Sequence, residues 1–467
     1  MEDIINIGIV AHADAGKTTL TEQLLFEAGE LRTLGSVDSR NTQTDWLDIE
    51  RQRGISVKAS SSRLFWKKCQ INLIDTPGHV DFVGEVQRSL SMLDAAILVI
   101  SAAEGIQGQT EVLWEALDKL DVPTLIFINK IDRLGAEPRE LISELSTRFS
   151  PSLAVMESWE DAQSRSCRVF CLEPKQGPLN ECLTELAVEN DAKAQECFLN
   201  DSPIPEDKLL RALRESIAVR RAFPVYLGAA ALSVGIRELL DGIMLLPRAE
   251  SQSDSPLSGL VYKVEHDKLM GKAAHVRLFS GAISNREPVP VRGREKVEKV
   301  TQIRRVLGQR TVDMGQLTAG DIGILYGLSD IRIGDVIGEM ALSREVAIAA
   351  PLLKSQVFSK KPEQLTDLVA ALRELTEEDP LLDMEWEPEE RELYIKITGM
   401  IQLEVIGTFL RDRFGLEAEF ASPSVIYKET PSKPGIGIEN YTWPKPCWAC
   451  IEFKAADLNS SRRWGIG

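Results

Sequence analysis

The chain has 467 residues, 43% apolar and 27% charged, which is the balance of a folded globular protein and excludes a mainly disordered one. This length predicts three or four domains. Lys and Arg number 54 against 71 Asp and Glu, a net charge of −17, which disfavours binding naked nucleic acid over a broad basic face and leaves room for a local basic patch.

Residues 4–10 form an apolar run that ends in a Gly-containing loop, the pattern of a buried strand. Residues 17–28 follow as a helix with Leu20, Leu24 and Leu25 on one face and Gly29 as its stop. Further buried strands are expected at 71–74, 95–100, 125–128 and 225–227. Strands alternating with helices predict parallel βαβ units in an open α/β sheet. The stretch 150–221 breaks this rhythm; it is polar and helical in character and reads as an insertion within a first domain of residues 1–247. Residues 247–256 are linker-like in Ser, Pro and acid. Beyond them the period becomes two, at 261–264, 275–278 and 322–325, with turn signals at Gly320-Asp321 and Gly334-Asp335, which predicts a β-barrel over 257–345. Residues 352–428 read as strand, helix, strand, strand, helix, strand, a ferredoxin-like α+β domain. Its first helix opens at Pro362 and its second spans 401–414 before Gly415.

No apolar run reaches membrane-spanning length, and Met1-Glu2-Asp3-Ile4 lacks the basic patch and apolar core of a signal peptide. Seven cysteines, an odd count, do not make a disulfide framework in a chain this long. A cytoplasmic, monomeric protein with no membrane partner is expected. Cys447 and Cys450 form a lone C-x-x-C, for which zinc, redox and incidental-thiol readings exist; without a second ligand pair the incidental reading is preferred.

Three segments carry chemistry. Ala11-His12-Ala13-Asp14-Ala15-Gly16-Lys17-Thr18 lies between a strand and a helix and fits a phosphate-binding loop with Ala in the first Gly position. Backbone N–H groups at the helix start, Thr19 included, would cradle phosphate oxygens. Lys17 would supply charge, and the Thr18 hydroxyl would face Mg²⁺. Asp75-Thr76-Pro77-Gly78-His79 follows a strand, so Asp75 can hold the Mg²⁺ shell and Gly78 can offer an unobstructed N–H to a terminal phosphate; alternatively Asp75 caps a helix. Asn129-Lys130-Ile131-Asp132 follows another strand. Asp132 can accept from guanine N1–H and N2–H₂ together, a donor pair adenine lacks, and Lys130 can lie along the base. Each segment alone could be an ordinary loop. Their order, each at the C-terminal end of a strand, points to a GTP/GDP site. A metabolic ATPase or kinase is disfavoured by Asp132 and by the lack of a kinase signature set.

These segments, with Arg53-Gly54-Ile55-Ser56, resemble those of the translational GTPases, and the domain order resembles that of elongation factor G. The nearer resemblance is to the ribosomal-protection tetracycline-resistance proteins. It rests on Leu34-Gly35-Ser36-Val37-Asp38, Thr42-x-Thr44-Asp45, Glu50-Arg51-Gln52-Arg53-Gly54-Ile55 and Gly399-Met400-Ile401-Gln402-Leu403-Glu404-Val405. The resemblance implies a ribosome-stimulated GTPase that displaces tetracycline, uses Mg²⁺ and positions the attacking water with His79. It implies a structural role for His12; His266 and His275 lie in expected barrel strands, where a satisfied or exposed histidine is expected.

Departures from the family pattern carry their own expectations. Ser56 stands where the family usually has the metal-ligating threonine, and keeps the hydroxyl. Gly228-Ala229-Ala230 matches the base-binding segment, with Ala229 in place of serine, and backbone N–H groups are expected to reach the guanine oxygen. Ala13 stands where valine, half of an apolar gate beside His79, is usual; Ile55 matches the other half. The smaller Ala13 is expected to raise ribosome-free hydrolysis. The Ala13→Val variant should therefore hydrolyse GTP more slowly without ribosomes, and equal intrinsic rates would count against the gate. Residues 439–449 resemble the start of a further domain and 457–467 do not resemble the family, so 429–467 reads as a truncated segment. On that reading drug release is in question. An elongation factor G-like paralogue, or a GTP-switched ribosome-binding module without drug release, are the alternatives.

Overall fold

In the computed structural model of the protein, residues 3–31, 56, 59–175, 177–248, 255–267, 269–294, 297–307, 310–338, 350–426, 435–441 and 449–455 are described. Outside them lie the segments at 34–38, 42–45 and 50–55, including Ile55, together with Cys447 and residues 457–467.

The first domain alternates strands and helices in the expected way. β1 (Asp3–Ala11) runs into α1 (Lys17–Glu27). The hairpin β2 (Ser60–Trp66) and β3 (Cys69–Asp75) leads through a 3-10 turn to α2 (Val83–Leu90). Then come β4 (Ala95–Ser101), α3 (Gly108–Lys119), β5 (Thr124–Asn129) and α4 (Pro138–Arg148). β3, β4 and β5 are buried along their whole length, as strands covered by helices on both faces must be.

The stretch 150–221 is less separate than its polarity suggests. β6 (Leu153–Val155) joins the main sheet at its edge, and β7 (Glu157–Glu160) and β8 (Arg168–Cys171) form a hairpin. Helices α5 (Gly177–Asn190), α6 (Ala192–Leu199) and α7 (Glu206–Ala218) pack Leu179, Leu183, Leu209 and Leu213 into the same core as Ile7 and Leu24. The apolar spacing is helical, and polar residues on the outer face mask it. β9 (Phe223–Leu227) and α8 (Ile236–Ile243) complete the domain. The sheet has seven strands in the order β2-β3-β1-β4-β5-β9-β6, parallel except for the β2–β3 pair.

Glu157 is a consequence of that hairpin. Its Oε2 accepts the Leu227 N–H at 2.6 Å, while its Oε1 is buried with no partner. Burial pushes its pKa up to about 8, against the Leu227 bond and with the help of nearby Glu238. The native state therefore keeps a proton that the unfolded chain releases above pH 4.5. Stability falls as pH rises from about 4.5 to 8, by up to about 1.4 kcal/mol per unit, and levels off above. Glu157→Gln keeps the acceptor and removes the titration. It should melt like the wild type near pH 5 and be more stable by about 3–4 kcal/mol near pH 8. Parallel melting profiles of the two proteins across this range would rule the buried acid out.

The second domain is a barrel built from β10 (Ser258–Asp267), β11 (Gly271–Ser280), β12 (Ala282–Ser284), β13 (Pro288–Val289), β14 (Glu298–Lys299), β15 (Gln302–Leu307), β16 (Arg310–Asp313), β17 (Gln316–Thr318), β18 (Ile322–Tyr326) and β19 (Val336–Gly338). Alternation along β11 turns Ala274, Val276 and Leu278 into the barrel core and leaves His275 and Arg277 on the other face. The first domain covers that face. The buried Arg277 guanidinium donates to the Met92 carbonyl and the Asp94 carboxylate. Asp94 Oδ2 also accepts from Asn6 N at 2.8 Å, Asn6 Nδ2 donates to Gly320 O at 2.8 Å, and Gln70 and Asn72 both donate to Asp321 Oδ1 at 2.9 and 3.1 Å. Apart from Arg277 Nε, which is buried without a partner, the hydrogen bonds of this buried network favour one docking orientation, because a slip would break them and leave polar groups unsatisfied. His275 pairs with Glu265 at 3.0 Å and His266 with Glu377 at 3.1 Å.

The third domain comprises β20 (Leu353–Ser359), α9 (Leu365–Glu378), β21 (Glu385–Glu387), β22 (Glu392–Ile397), α10 (Met400–Phe414) and β23 (Ala418–Phe420), with the short β24 (Ser424–Val425) beside β20. Its sheet order, β21-β22-β20-β23, is the ferredoxin-like one. Pro362 opens a 3-10 turn rather than the helix, which begins three residues later at Leu365. Beyond it, β25 (Gly435–Tyr441) and β26 (Ala449–Ala455) pair as an antiparallel hairpin.

The third domain docks on the first through the start of α10 and the end of α9. The Ile401 N–H donates to Asp81 Oδ2 at 2.9 Å, Arg88 reaches Asp379 at 3.1 Å, and Phe82 packs with Val405. A Cβ at Gly399 would run into the Asp81 carboxylate. Gly399→Ala should loosen this docking by about 1–3 kcal/mol and give the third domain a separate, lower thermal transition. An unchanged melting profile would refute this.

Candidate guanine-nucleotide site

The loop between β1 and α1 is shaped by Asp14 and Gly16, both with positive φ, 61° and 92°. Gly16 is required at its position, because a Cβ there would collide with the Asn129 amide. The first i→i−4 bond of α1 is Leu20 N to Gly16 O at 2.9 Å. The N–H groups of Lys17, Thr18 and Thr19 thus belong to the helix's unpaired first turn, the place where an anion is held. Lys17 is buried; its Nζ pairs with Asp75 and donates to Ser56 Oγ at 3.1 Å. Lys17, Ser56 and Asp75 are thereby brought to one point, with half-buried Thr18 following Lys17 in the same first turn. A lysine, a carboxylate and hydroxyls converging at a helix start fit a phosphate with its divalent cation. Asp75 ends a strand and caps no helix.

The other residues of this loop hold it in shape. His12 is buried; Nδ1 lies 2.7 Å from Ala13 O and Nε2 receives the Ser101 N–H at 3.4 Å. Burial lowers its pKa, so the ring is neutral. Ala15 is buried and its carbonyl accepts from Asn129 Nδ2 at 2.8 Å. Ala11 is the buried end of β1, and Ala13 is exposed.

After β3, the Thr76 hydroxyl turns inward to Ile9 O at 2.9 Å, and Pro77 is buried. Gly78 lies beside the phosphate loop: a Cβ there would sit 3.6 Å from Ala11 O and 3.9 Å from Lys17 Cε. His79 is half-buried; its Nδ1 accepts the Asp81 N–H at 3.2 Å. The same nitrogen lies 3.4 Å from Asp81 Oδ1, so Asp81 holds the ring from one side.

On the base side, Lys130 has φ 62° and its Nζ pairs with Glu104 at 3.1 Å. Asp132 is half-buried, 3.9 Å from the Arg133 Nε. Ile131 is buried and its N–H bonds Gly228 O at 3.2 Å. Asn129 Oδ1 accepts the Ala230 N–H at 3.0 Å, so this side chain pins the phosphate loop to the segment after β9. That segment departs from expectation. The N–H groups of Gly228, Ala229 and Ala230 bond Ile128 O, Val234 O and Asn129 Oδ1. A backbone contact from these three to the guanine oxygen is not preformed, and in the structure they brace the site.

Two residues near the site carry no sequence signal. Glu104 fixes Lys130, and Gln109 joins the phosphate loop to Gly78. Glu104 lies between β4 and α3 and Gln109 in the first turn of α3, neither within a nucleotide motif.

Comparison with known proteins agrees with this geometry. The family "Elongation factor Tu GTP binding domain" matches residues 2–248, "Elongation factor G domain 2" residues 256–340 and "Elongation Factor G, domain III" residues 348–422. Tetracycline resistance protein TetP of Clostridium perfringens is 40% identical over 97% of this chain and 70% of its own length. TetW of Butyrivibrio fibrisolvens is 36% identical over 98% of this chain and 71% of its own. A crystal structure from Thermus thermophilus superposes with a TM-score of 0.80 at 25% identity, covering 97% of this chain and 72% of that one. No helix among the described residues is long and apolar enough to cross a membrane. The chain belongs to the translational GTPases of elongation factor G type, within the group of the tetracycline-resistance proteins.

Proposed function

We propose that this protein binds GTP with Mg²⁺, acts on the ribosome in the cytoplasm, hydrolyses the nucleotide there and belongs to the tetracycline ribosomal-protection class. The observation that carries the reading is the convergence of Lys17, Ser56 and Asp75 at the start of α1, with Asp132 and Lys130 on the base side of Asn129. Lys17 exchanges Asp75 for phosphate oxygens. Thr18, Ser56 and Asp75 would hold Mg²⁺, which would supply charge neutralisation at the phosphates. Asp132 selects guanine. His79 orients the attacking water; phosphoryl transfer needs such positioning more than covalent chemistry.

The test is phosphate release from GTP by the purified protein with and without bacterial ribosomes, followed by translation in the presence of tetracycline. Stimulated hydrolysis with restored translation supports the whole reading. Hydrolysis without restoration leaves a GTP-switched ribosome-binding protein, and no stimulated hydrolysis defeats the enzymatic reading.

A further inference from the structure

We propose that Gln109 is a positioning residue for GTP hydrolysis, a clamp that orients the peptide leading into His79. The proposal rests on the hydrolysis reading above. Gln109 lies in the first turn of α3, outside every nucleotide motif. Its Oε1 accepts the Ala13 N–H at 3.2 Å and its Nε2 donates to the Gly78 carbonyl. One side chain thus bridges the loop before Lys17 and the loop that carries His79.

The chemistry of the two contacts sets the amide's orientation. Reversal would face its NH₂ toward the Ala13 N–H and its oxygen toward the Gly78 carbonyl, two repulsive pairs in place of two attractive ones. The consequence for His79 follows from the planarity of the peptide bond. The Gly78 carbonyl and the His79 N–H belong to one rigid trans unit, so a donor on that oxygen sets the direction in which the chain enters His79. Gly78 has no side chain to resist rotation of this unit, and the Pro77–Gly78 peptide next to it carries the N–H expected to meet the terminal phosphate. The Asp81 N–H holds the imidazole from the far side. Gln109 supplies the near-side restraint, and it ties that restraint to the phosphate loop.

The amide's two ends can be separated experimentally. Gln109→Glu keeps an acceptor for Ala13 N–H and replaces the donor on the Gly78 carbonyl by a second oxygen. Gln109→Met fills the space and removes both contacts. Ribosome-stimulated hydrolysis is measured for wild type and both variants between about pH 8 and pH 6, with fluorescent GDP binding and thermal midpoints alongside. At about pH 7.5 both variants should lose about ten- to a hundredfold in kcat. Their KM for GTP and their GDP affinity should stay within about threefold of wild type, a split expected of an interaction that matters only in the transition state. The kcat of Gln109→Glu relative to wild type should recover as pH falls, because the protonated carboxyl regains a donor for the Gly78 oxygen. Gln109→Met should show no recovery.

An unchanged kcat in both variants overturns the clamp. So does a parallel loss of kcat and GDP affinity without acid recovery, which would make Gln109 a strut of the phosphate loop. If Gln109→Glu does not fold, the KM-against-kcat split of Gln109→Met decides. A wild type that is not stimulated by ribosomes overturns the hydrolysis reading, and the clamp with it. That outcome is distinguishable, because it needs no variant.

Discussion

Asp132→Asn should invert the base preference of the site. The wild-type carboxylate offers two acceptors to guanine N1–H and N2–H₂. The asparagine amide offers one acceptor and one donor, so one of the two contacts becomes donor against donor. Loss of a charge-assisted pair at a half-buried position should reduce GTP and GDP affinity by about 10²–10⁴-fold. Xanthine has a carbonyl oxygen where guanine has the amino group, and it matches the amide at both atoms. The variant should bind xanthosine nucleotides at least tenfold better than wild type does, a gain worth about 1.4 kcal/mol. Titration of fluorescent guanosine and xanthosine diphosphates reads both effects. Equal guanine affinity in variant and wild type would remove Asp132 from the base site. The fold should not suffer, since the Asp132 contact given by the structure is the 3.9 Å approach to Arg133.

His79→Ala should separate chemistry from binding. The imidazole is tied through Nδ1 to Asp81. Removing the group that orients water should lower ribosome-stimulated kcat by about 10²–10⁴-fold, with nucleotide affinity within about threefold of wild type. Single-turnover hydrolysis on pre-bound GTP is the direct measurement, because product release does not enter it. A variant that weakens GTP binding as much as it slows turnover would make His79 a ligand of the nucleotide. A variant with full single-turnover rate would leave the water to another group. Asp81 complicates replacement by larger residues, since its carboxylate also accepts the Ile401 N–H at the start of α10. Alanine is the cleaner substitution.

Much of this protein is legible in its amino-acid order because the relevant physics is local. A phosphate loop needs a strand end, a positive-φ glycine and a helix start within a few residues, and residues 11–18 spell this out. Period-two alternation sends Ala274, Val276 and Leu278 inward whatever the barrel packs against. The apolar ridge of Leu368, Leu372 and Leu375 is likewise written at helical spacing.

What the tertiary structure decided is carried by pairings between distant segments, which no local pattern encodes. β6 joins the sheet from within a stretch that reads as a helical insertion, and its hairpin buries Glu157 beneath Leu227. Asn129 consumes the Ala230 N–H that residue order alone offers to the base. Arg277, Asp94, Asn6 and Asp321 look like surface polar residues in four unrelated strands and turns, yet they form the buried seam between two domains. Gln109 has the same character: an ordinary helix residue by sequence, and a bridge between two nucleotide loops once the sheet brings β1, β3 and β4 side by side. Local rules fix which groups each segment can offer. Only the packed chain determines which of those groups remain free for the nucleotide, because every buried donor must first find an acceptor.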